Sequence, residues 1–264
     1  MTPLELQTLG ITLPPTQDEL PCSDGIPMET ERHNLQMRIL IDGLLPWLAL
    51  RQDGYIGGNM FIYYSLRQVK NQDFRGPDVF VVLDVPKGER KSWICWEEDK
   101  VPDVVIELLS DSTREFDKTE KKLIYQNRMR VPEYFWYDPF NPSDIAGFYM
   151  QNGCYQPIAP NPQGLLVSQM LGLALVRWQG TFKQVTATWL RWADLQGQIL
   201  LTDEELAQQK ADEAQQKADE AQQKVDAQAA QLRQLVRHLM ETGMPSDRIA
   251  QLAGLTPAQL EELE

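Results

Sequence analysis

Two apolar segments, residues 79–83 and 104–109, constrain the fold of this chain more than any other feature. Apart from Glu107 they are wholly apolar, which is typical of strands buried on both faces, because a half-exposed strand alternates apolar and polar residues. A helix is predicted over residues 113–127, and a third strand over 134–137. The residues of the helix expected to face inward are Phe116, Leu123, Ile124 and Tyr125. This order of strand, helix and strand, preceded by hairpins, predicts an α+β (α/β-like) fold with a mixed sheet.

Carboxylates stand at the borders of both apolar segments. Asp78 precedes the first and Glu107 interrupts the second. A buried carboxylate is costly unless it is paired or binds a metal. Taken singly, each acid is explained by a strand end in solvent or by an ion pair with Arg75 or Arg114. Taken together with Lys121 on the following helix, they predict a site that holds a divalent metal and activates water.

Lys121 is the third member of this predicted site. It lies one helical turn before Tyr125, so both side chains share one face of the helix. An ammonium group beside a phosphate can orient a water molecule and offset the charge that develops in the transition state. The neighbouring Lys122 points about 100° away and is predicted to be solvated.

The amino-acid composition limits the kinds of function that this chain can have. Three cysteines without CxxC spacing argue against a zinc site and a disulfide framework, which favours a cytoplasmic protein with reduced thiols. No apolar run is long enough to span a bilayer, so no membrane association is expected. The net charge of −13, from 38 acidic and 25 basic residues, argues against tight nonspecific DNA binding. It leaves room for a nuclease, because a bound divalent cation reverses the local field at an acidic site.

Four segments follow from the pattern along the chain. Residues 1–27 are a Pro-rich arm, 28–197 form the main domain, 198–241 carry a heptad repeat, and 242–264 read as a short helical hairpin. The main domain opens with an amphipathic helix over residues 29–50 that is expected to bend near Pro46. Small or apolar residues form a heptad seam at positions 207, 211, 214, 218, 221 and 225, and then at 232, 235 and 239. This seam predicts a long helix and a homodimeric coiled coil. Alanine dominates the seam, so the pairing is expected to be weak and held mainly by Leu232, Leu235 and Leu239.

These residues resemble a bacterial "putative restriction endonuclease" family, a domain-of-unknown-function group inside the PD-(D/E)xK nuclease superfamily. The resemblance covers roughly residues 24–185. Its carriers are Asp24-Gly25-Ile26-Pro27-Met28-Glu29, Pro77-Asp78-Val79, Val105-Ile106-Glu107-Leu108-Leu109-Ser110, Ser112-Thr113, Asp117, Lys121 with Tyr125, and Val131-Pro132-Glu133-Tyr134-Phe135-Trp136-Tyr137-Asp138-Pro139. The resemblance implies a restriction-endonuclease-like mixed β-sheet flanked by helices, metal-dependent cleavage of DNA and, commonly, a dimer.

Carried over residue by residue, the resemblance makes Asp78 and Glu107 ligands of Mg²⁺ or Mn²⁺ and Lys121 the residue that orients the attacking water. One departure is clear. The superfamily usually places lysine two residues after the acid, where this chain has Leu109. The chain therefore resembles those members in which the lysine has moved to the next helix.

Further acids accompany this set. Glu31 on the first helix is a candidate fourth catalytic residue, and Glu29 is the other candidate for that position. The Tyr125 hydroxyl either supports the site or only packs. Asp103 follows Pro102 as a second Pro-Asp pair and is interpreted as a residue at the start of a strand.

Two other functions fit parts of the sequence. A noncatalytic binding or regulatory module would retain the nuclease fold and assemble through its C-terminal helix, in keeping with the acidic charge. A glycosidase would use paired carboxylates with tryptophans stacking on sugar, although such an enzyme has no need of a lysine beside its acids. The tryptophans in question are Trp93, Trp96, Trp136, Trp178, Trp189 and Trp192.

Overall fold

The computed structural model describes residues 8–10, 13–23, 28–67, 73–256 and 258. Two compact units divide the chain, Met1–Asp203 and Glu204–Glu264, and each is described by itself. Much of the predicted N-terminal arm lies outside the described residues, including residues 24–27 of the family resemblance. The end of the predicted C-terminal hairpin, from residue 259 onward, also lies outside them.

Twelve strands are found in the described part of the first unit. They are β1 (Asp53–Gly57), β2 (Ile62–Tyr63), β3 (Phe74–Arg75), β4 (Val79–Pro86), β5 (Trp93–Ile94), β6 (Val104–Leu108), β7 (Glu133–Tyr137), β8 (Ile145–Gln151), β9 (Cys154–Pro157), β10 (Leu166–Ser168), β11 (Leu173–Phe182) and β12 (Val185–Ala193). The helices that lie wholly within the described residues are α1 (Glu31–Ala49), α2 (Cys95–Glu98), α3 (residues 114–129), α4 (Asp203–Glu241) and α5 (Ser246–Ala253).

The main sheet has six strands in the order β1-β4-β6-β7-β8-β9. Strands β6 and β7 run parallel, and the other neighbours are antiparallel, so the sheet is mixed. The two apolar segments form β4 and β6 in its interior, where β6 is buried along its whole length. The predicted mixed α+β fold is therefore confirmed.

The two faces of this sheet are covered differently. Val104 and Ile106 of β6 belong to a core shared with Leu44 of α1 and with β10–β12. Val105 belongs to a second core with Tyr125 of α3. Because side chains alternate along a strand, Glu107 lies on the same face as Val105, toward α3. The strand periodicity thus brings a carboxylate under the helix that carries Lys121.

Helix α1 is positioned by polar contacts at its start and along its buried face. Thr30 precedes the helix, and its side chain accepts a hydrogen bond from the backbone N–H of His33. Gln36 is fully buried and bonds the backbone of Leu190 on β12 in both directions, at 2.8 and 2.9 Å. Pro46 lies within the helix, which continues to Ala49.

Helix α3 differs from the prediction in which face it buries. Short α-helical stretches alternate with π-helical turns at Asp117–Lys121 and Tyr125–Met129. Phe116 and Leu123, predicted to face inward, are 38% and 51% exposed. The prediction assumed a 3.6-residue period, whereas hydrogen bonds from i to i+5 widen the turn. Residues at intervals of four therefore stay aligned and face the sheet, namely Asp117, Lys121, Tyr125 and Met129.

The second unit consists of most of α4 and of α5. The alanine seam of α4 is exposed, and glutamines bond acids four residues later, as in Gln208 to Asp212 at 2.7 Å. Two of the three leucines expected to hold a coiled coil, Leu232 and Leu239, pack within the chain around Val236, against α5. Among the described helices, none has the length and apolar character needed to cross a membrane.

Candidate active site

A cleft of about 230 Å³ opens in the first unit, beside β4, β6 and α3. Its polar lining includes Glu29, His33, Asp78, Asp117 and Lys121. These side chains come from three distant parts of the sequence: the segment leading into α1, the start of β4, and the first turns of α3. The cleft therefore contains two of the predicted catalytic residues, Asp78 and Lys121.

Asp78 is held in place by β6. Its Oδ2 accepts a hydrogen bond of 2.7 Å from the backbone N–H of Leu108. Val79 pairs with Ile106 in the antiparallel ladder, so one further step places Asp78 opposite Glu107. Burial raises the pKa of Asp78, against the opposing influence of Lys121 and of the Leu108 N–H.

Glu107 lies behind the cleft wall and is fully buried. Its Oε2 accepts a hydrogen bond of 2.8 Å from Lys121 Nζ, and its Oε1 accepts one of 2.6 Å from the Tyr125 hydroxyl. Burial, with a smaller contribution from the nearby Asp78 and Asp117, raises the pKa of Glu107 to about 8, even though Lys121 lowers it. The carboxyl group is thus oriented by two donors and is difficult to ionise.

Lys121 bridges two acids. Its Nζ lies 2.8 Å from Glu107 Oε2 and 3.0 Å from Asp117 Oδ1, and its side chain is 15% exposed. Burial opposes the positive charge, but Glu107, Asp117 and Asp78 together raise the pKa of Lys121 above its ordinary value. The lysine therefore stays protonated, with its ammonium group at the cleft wall.

Asp117 is an acid to which the sequence argument assigned no role, although it is one of the carriers of the family resemblance. It is 1% exposed, and its Oδ1 makes no hydrogen bond despite lying within ion-pair distance of Lys121. The backbone carbonyl of Asp117 accepts a hydrogen bond of 2.9 Å from the Tyr134 hydroxyl. A buried oxygen with an unfilled acceptor position marks a place where a cation or water can bind.

The two candidates for a fourth acid, Glu31 and Glu29, are placed differently. Glu31 is exposed in the first turn of α1 and is not among the residues that line the cleft. Glu29 lines the cleft, and its Oε1 accepts a hydrogen bond from the Ser112 hydroxyl, which lowers the pKa of Glu29. The structure thus brings Glu29, and not Glu31, to the site, because Thr30 starts the helix between them.

His33 also lines the cleft, and sequence reasoning assigned it no role. Its Nε2 lies 3.0 Å from the carbonyl of Leu109, and its Nδ1 lies 2.8 Å from Thr30 Oγ1. A neutral imidazole protonated at Nε2 satisfies both contacts, with the Thr30 hydroxyl donating to Nδ1. The sequence feature that could have pointed to His33 is its position one turn after Thr30, the residue that caps α1.

A family model matches residues 19–181 of this chain, which is more than half of its length. The model is Uma2, described as "Putative restriction endonuclease". The chain belongs to the Uma2 family. This membership confirms the resemblance and supports a nuclease function.

A solved structure provides a second comparison. The chain is similar to a "putative nuclease belonging to DUF820" from Anabaena variabilis, with 16% identity and a TM-score of 0.42. The match covers 60% of this chain and 91% of that one. No protein of curated function matches the sequence significantly.

Two features singled out in the sequence lie outside the Uma2 cleft. The second Pro-Asp pair serves the fold, since Asp103 Oδ2 accepts a hydrogen bond of 2.7 Å from the Leu83 N–H and lies 3.1 Å from Lys100 Nζ. Trp93, Trp189 and Trp192 are buried in the core. No tryptophan of the described chain lines the cleft, so the site offers no platform of the kind a glycosidase would use.

The site of this Uma2 chain suits a hard cation in its choice of donor atoms. Carboxylate oxygens are the ligands that Mg²⁺ and Mn²⁺ prefer. Glu107 and Asp117 contact one lysine, and Asp78 lies opposite Glu107. Burial, with a smaller contribution from neighbouring acids, disfavours the ionisation of Asp78 and of Glu107. Within the part of the chain that the structure describes, however, no three acids, histidines or cysteines are already grouped as ligands.

Proposed function

We propose that this chain is a metal-dependent endonuclease that hydrolyses DNA phosphodiester bonds. One observation carries the proposal: Lys121 contacts both Glu107 and Asp117 at the wall of a cleft that Asp78 and Asp117 also line. In their ionised forms, Asp78, Glu107 and Asp117 would carry more negative charge than the single ammonium group neutralises. Membership of the Uma2 family supports the same reaction class.

Asp78 and Glu107 are the proposed ligands of Mg²⁺ or Mn²⁺, and Asp117 is well placed to join them. The buried Oδ1 of Asp117, which makes no hydrogen bond, is the observation that fits this role best. A divalent cation bound there would polarise the scissile phosphate and make a water molecule more acidic. Its charge would also favour the ionised forms of Asp78 and Glu107, whose pKa values are raised by burial and, less strongly, by neighbouring acids.

The remaining steps are assigned to groups of the protein itself. The Lys121 ammonium donates hydrogen bonds that orient the attacking water and offset the charge developing on the phosphate. The Tyr125 hydroxyl and the Leu108 N–H hold Glu107 and Asp78 in one geometry, so little reorganisation is needed during the reaction. Glu29, which lines the cleft, replaces Glu31 as the fourth acid in this proposal.

Plasmid cleavage tests this function. In Mg²⁺ or Mn²⁺ the wild-type protein should nick supercoiled DNA, and EDTA should stop the reaction. Asp78→Asn should lower the rate by about a hundredfold or more, because it removes an anionic ligand at the reacting centre. Asp84→Asn is the matched control: Asp84 lies on β4, the strand that Asp78 immediately precedes, its side chain is 74% exposed, and the change should leave the rate unaltered.

Two results would remove the proposal. One is a wild-type protein, folded and loaded with Mn²⁺, that leaves single-stranded, duplex and supercoiled DNA intact. The other is an Asp78→Asn protein that cleaves at the wild-type rate, since the activity would then belong to a contaminant or to another site.

A noncatalytic module is the second candidate, and one observation favours it. Lys121 lies within 3.0 Å of both Glu107 and Asp117, so its ammonium already partly fills the space of a cation. Calorimetric titration with Mn²⁺ separates the two candidates. An enzyme should bind Mn²⁺ in a manner that depends on Asp78, whereas a module that uses only the fold should bind none at this site.

Assembly and location complete the proposal. The protein forms a homodimer through the seam of α4, which is exposed along the alanine repeat. Lys210, Lys217 and Lys224 share one flank of that seam, so antiparallel pairing would bring lysines together and parallel pairing is favoured. The cytoplasm is the proposed location, because Cys22, Cys95 and Cys154 are all free thiols.

A further inference from the structure

We propose that Phe140 is a stacking platform for an unpaired nucleobase beside the cleft, which makes single-stranded DNA, or DNA locally opened, the preferred ligand of this protein. The inference deepens the proposed nuclease function and rests on it for the nature of the substrate. Phe140 lies in the turn after β7, and 61% of its surface is exposed. An aromatic ring so exposed contributes little to folding.

The turn that carries Phe140 is rigid. Asp138 is 1% exposed, and its Oδ1 accepts hydrogen bonds from the backbone N–H groups of Phe140 and Asn141, at 2.8 and 2.9 Å. The Asp138 Oδ2 is held by Arg114 from the start of α3. The backbone beneath the exposed ring is therefore fixed from two sides, and the entropy cost of ordering it on binding is already met in the free protein.

The guanidinium group of Arg32, which also contacts the Trp189 ring, supports the Phe140 ring. The Arg32 guanidinium lies 5.4 Å from the centre of the Phe140 ring and 5.2 Å from that of Trp189, and it also donates to the carbonyl of Pro139 at 3.4 Å. Arginine within this distance of an aromatic ring gives a favourable cation–π contact. It also places a positive charge where a phosphate next to a stacked base would pass.

The platform adjoins the cleft through one residue. The Phe140 ring centre is 5.7 Å from that of His33, and His33 lines the same cleft as Asp78 and Lys121. A nucleotide whose base rests on Phe140 can therefore direct its neighbouring phosphate toward the carboxylates. Paired bases inside a duplex hide their faces, so only an unpaired base can use the ring.

The charge of the molecule makes this contact more important. A chain with a net charge of −13 gains little from general attraction to phosphates. Stacking on an aromatic side chain does not depend on such attraction and tolerates every base sequence. Stacking on Phe140 thus gives affinity for DNA that does not depend on a positively charged surface.

Binding, measured without cleavage, tests the platform. A fluorescein-labelled single-stranded oligonucleotide and the blunt duplex of the same sequence are titrated with full-length protein in Ca²⁺ and, separately, in EDTA, with anisotropy as the readout. Wild type should bind the single strand more tightly than the duplex. Phe140→Ala should weaken single-strand binding by roughly tenfold, and Phe140→Trp should retain it.

Two controls separate this inference from the proposed function. Leu195→Ala removes an apolar side chain of similar exposure, 47%, and should leave binding unchanged. Asp78→Asn should abolish cleavage and still show the dependence on Phe140. If wild type cleaves nothing but binds single strands through Phe140, the nuclease function fails and the platform stands. The platform is refuted if wild type binds neither oligonucleotide, if Phe140→Ala binds within twofold of wild type, or if tryptophan fails to replace phenylalanine.

Discussion

At the scale of single residues, the site is defined by a carboxyl group that resists ionisation. Glu107 is fully buried and accepts hydrogen bonds from Lys121 and Tyr125, yet burial still raises its pKa to about 8. A protonated carboxyl is a poor metal ligand. If Glu107 is a metal ligand as proposed, a proton and the divalent cation compete for it near neutral pH.

This competition predicts a pH-dependent metal affinity. An acid with a raised pKa keeps its proton below that value, so Mn²⁺ binding must displace it. Apparent affinity should rise about tenfold per unit between roughly pH 6 and pH 8 and level off above. Calorimetry across this range measures it. In Glu107→Gln the residual binding should show a flatter profile, and a wild-type affinity independent of pH would contradict the assignment of Glu107 as a ligand.

Two adjacent lysines provide a second prediction. Lys121 contacts Glu107 and Asp117, whereas Lys122 lies with its Nζ 3.4 Å from the centre of the Phe148 ring. Lys121→Met should reduce DNA cleavage by about a hundredfold, since it removes the ammonium that stabilises developing charge. Lys122→Met makes the same chemical change one position away and should stay within about twofold. Equal losses in the two variants, with both proteins folded by circular dichroism, would place the chemistry elsewhere.

At the scale of secondary-structure elements, the sequence predicts where a strand or helix lies better than which of its faces is buried. The apolar segments that became β4 and β6 were recognisable because a strand buried on both faces has no other composition. The inward face of α3 was not, because its π-helical turns interrupt the period on which the prediction depended. The pairing of Lys121 with Glu107 was nevertheless predicted, because that argument used only the order of strand and helix.

The fourth acid illustrates the same limit. Both Glu29 and Glu31 stood near the start of the first helix, and the choice depended on which residue caps it. Thr30 caps the helix, so Glu29 stays outside and reaches Ser112, a contact that is 83 residues away in sequence. No local pattern encodes such a contact.

Gln36 gives a prediction at this scale. It joins α1 to β12 by bonding both the N–H and the C=O of Leu190 in the core. Gln36→Leu would leave two buried backbone groups unsatisfied and should lower the free energy of unfolding by about 3 kcal/mol. Asn34→Leu alters an exposed position of the same helix and should change stability by less than about 1 kcal/mol. Urea unfolding measures both, and similar values would show that the Gln36 bonds contribute little.

At the scale of the whole molecule, the proposed homodimer depends on the seam of α4. Val225 is 57% exposed on the seam, while Gln223 lies elsewhere on the same turn. Val225→Asp in the full chain should convert the dimer to a monomer, because it places charge in the interface. Gln223→Asp should remain dimeric. Light scattering after size exclusion reads the mass directly, and a wild-type chain that is monomeric at high concentration would exclude the proposed dimer.

Because Lys121 comes from α3, the strand that carries its partner Glu107 does not have to provide a lysine. Position 109, where the superfamily usually has lysine, is Leu109 and is fully buried. Core packing at position 109 and the proposed chemistry of the lysine are thereby divided between two elements that can vary independently. A genome survey that searches for an acid followed two positions later by lysine would overlook this chain, and a census of nucleases made in that way would undercount proteins built like it.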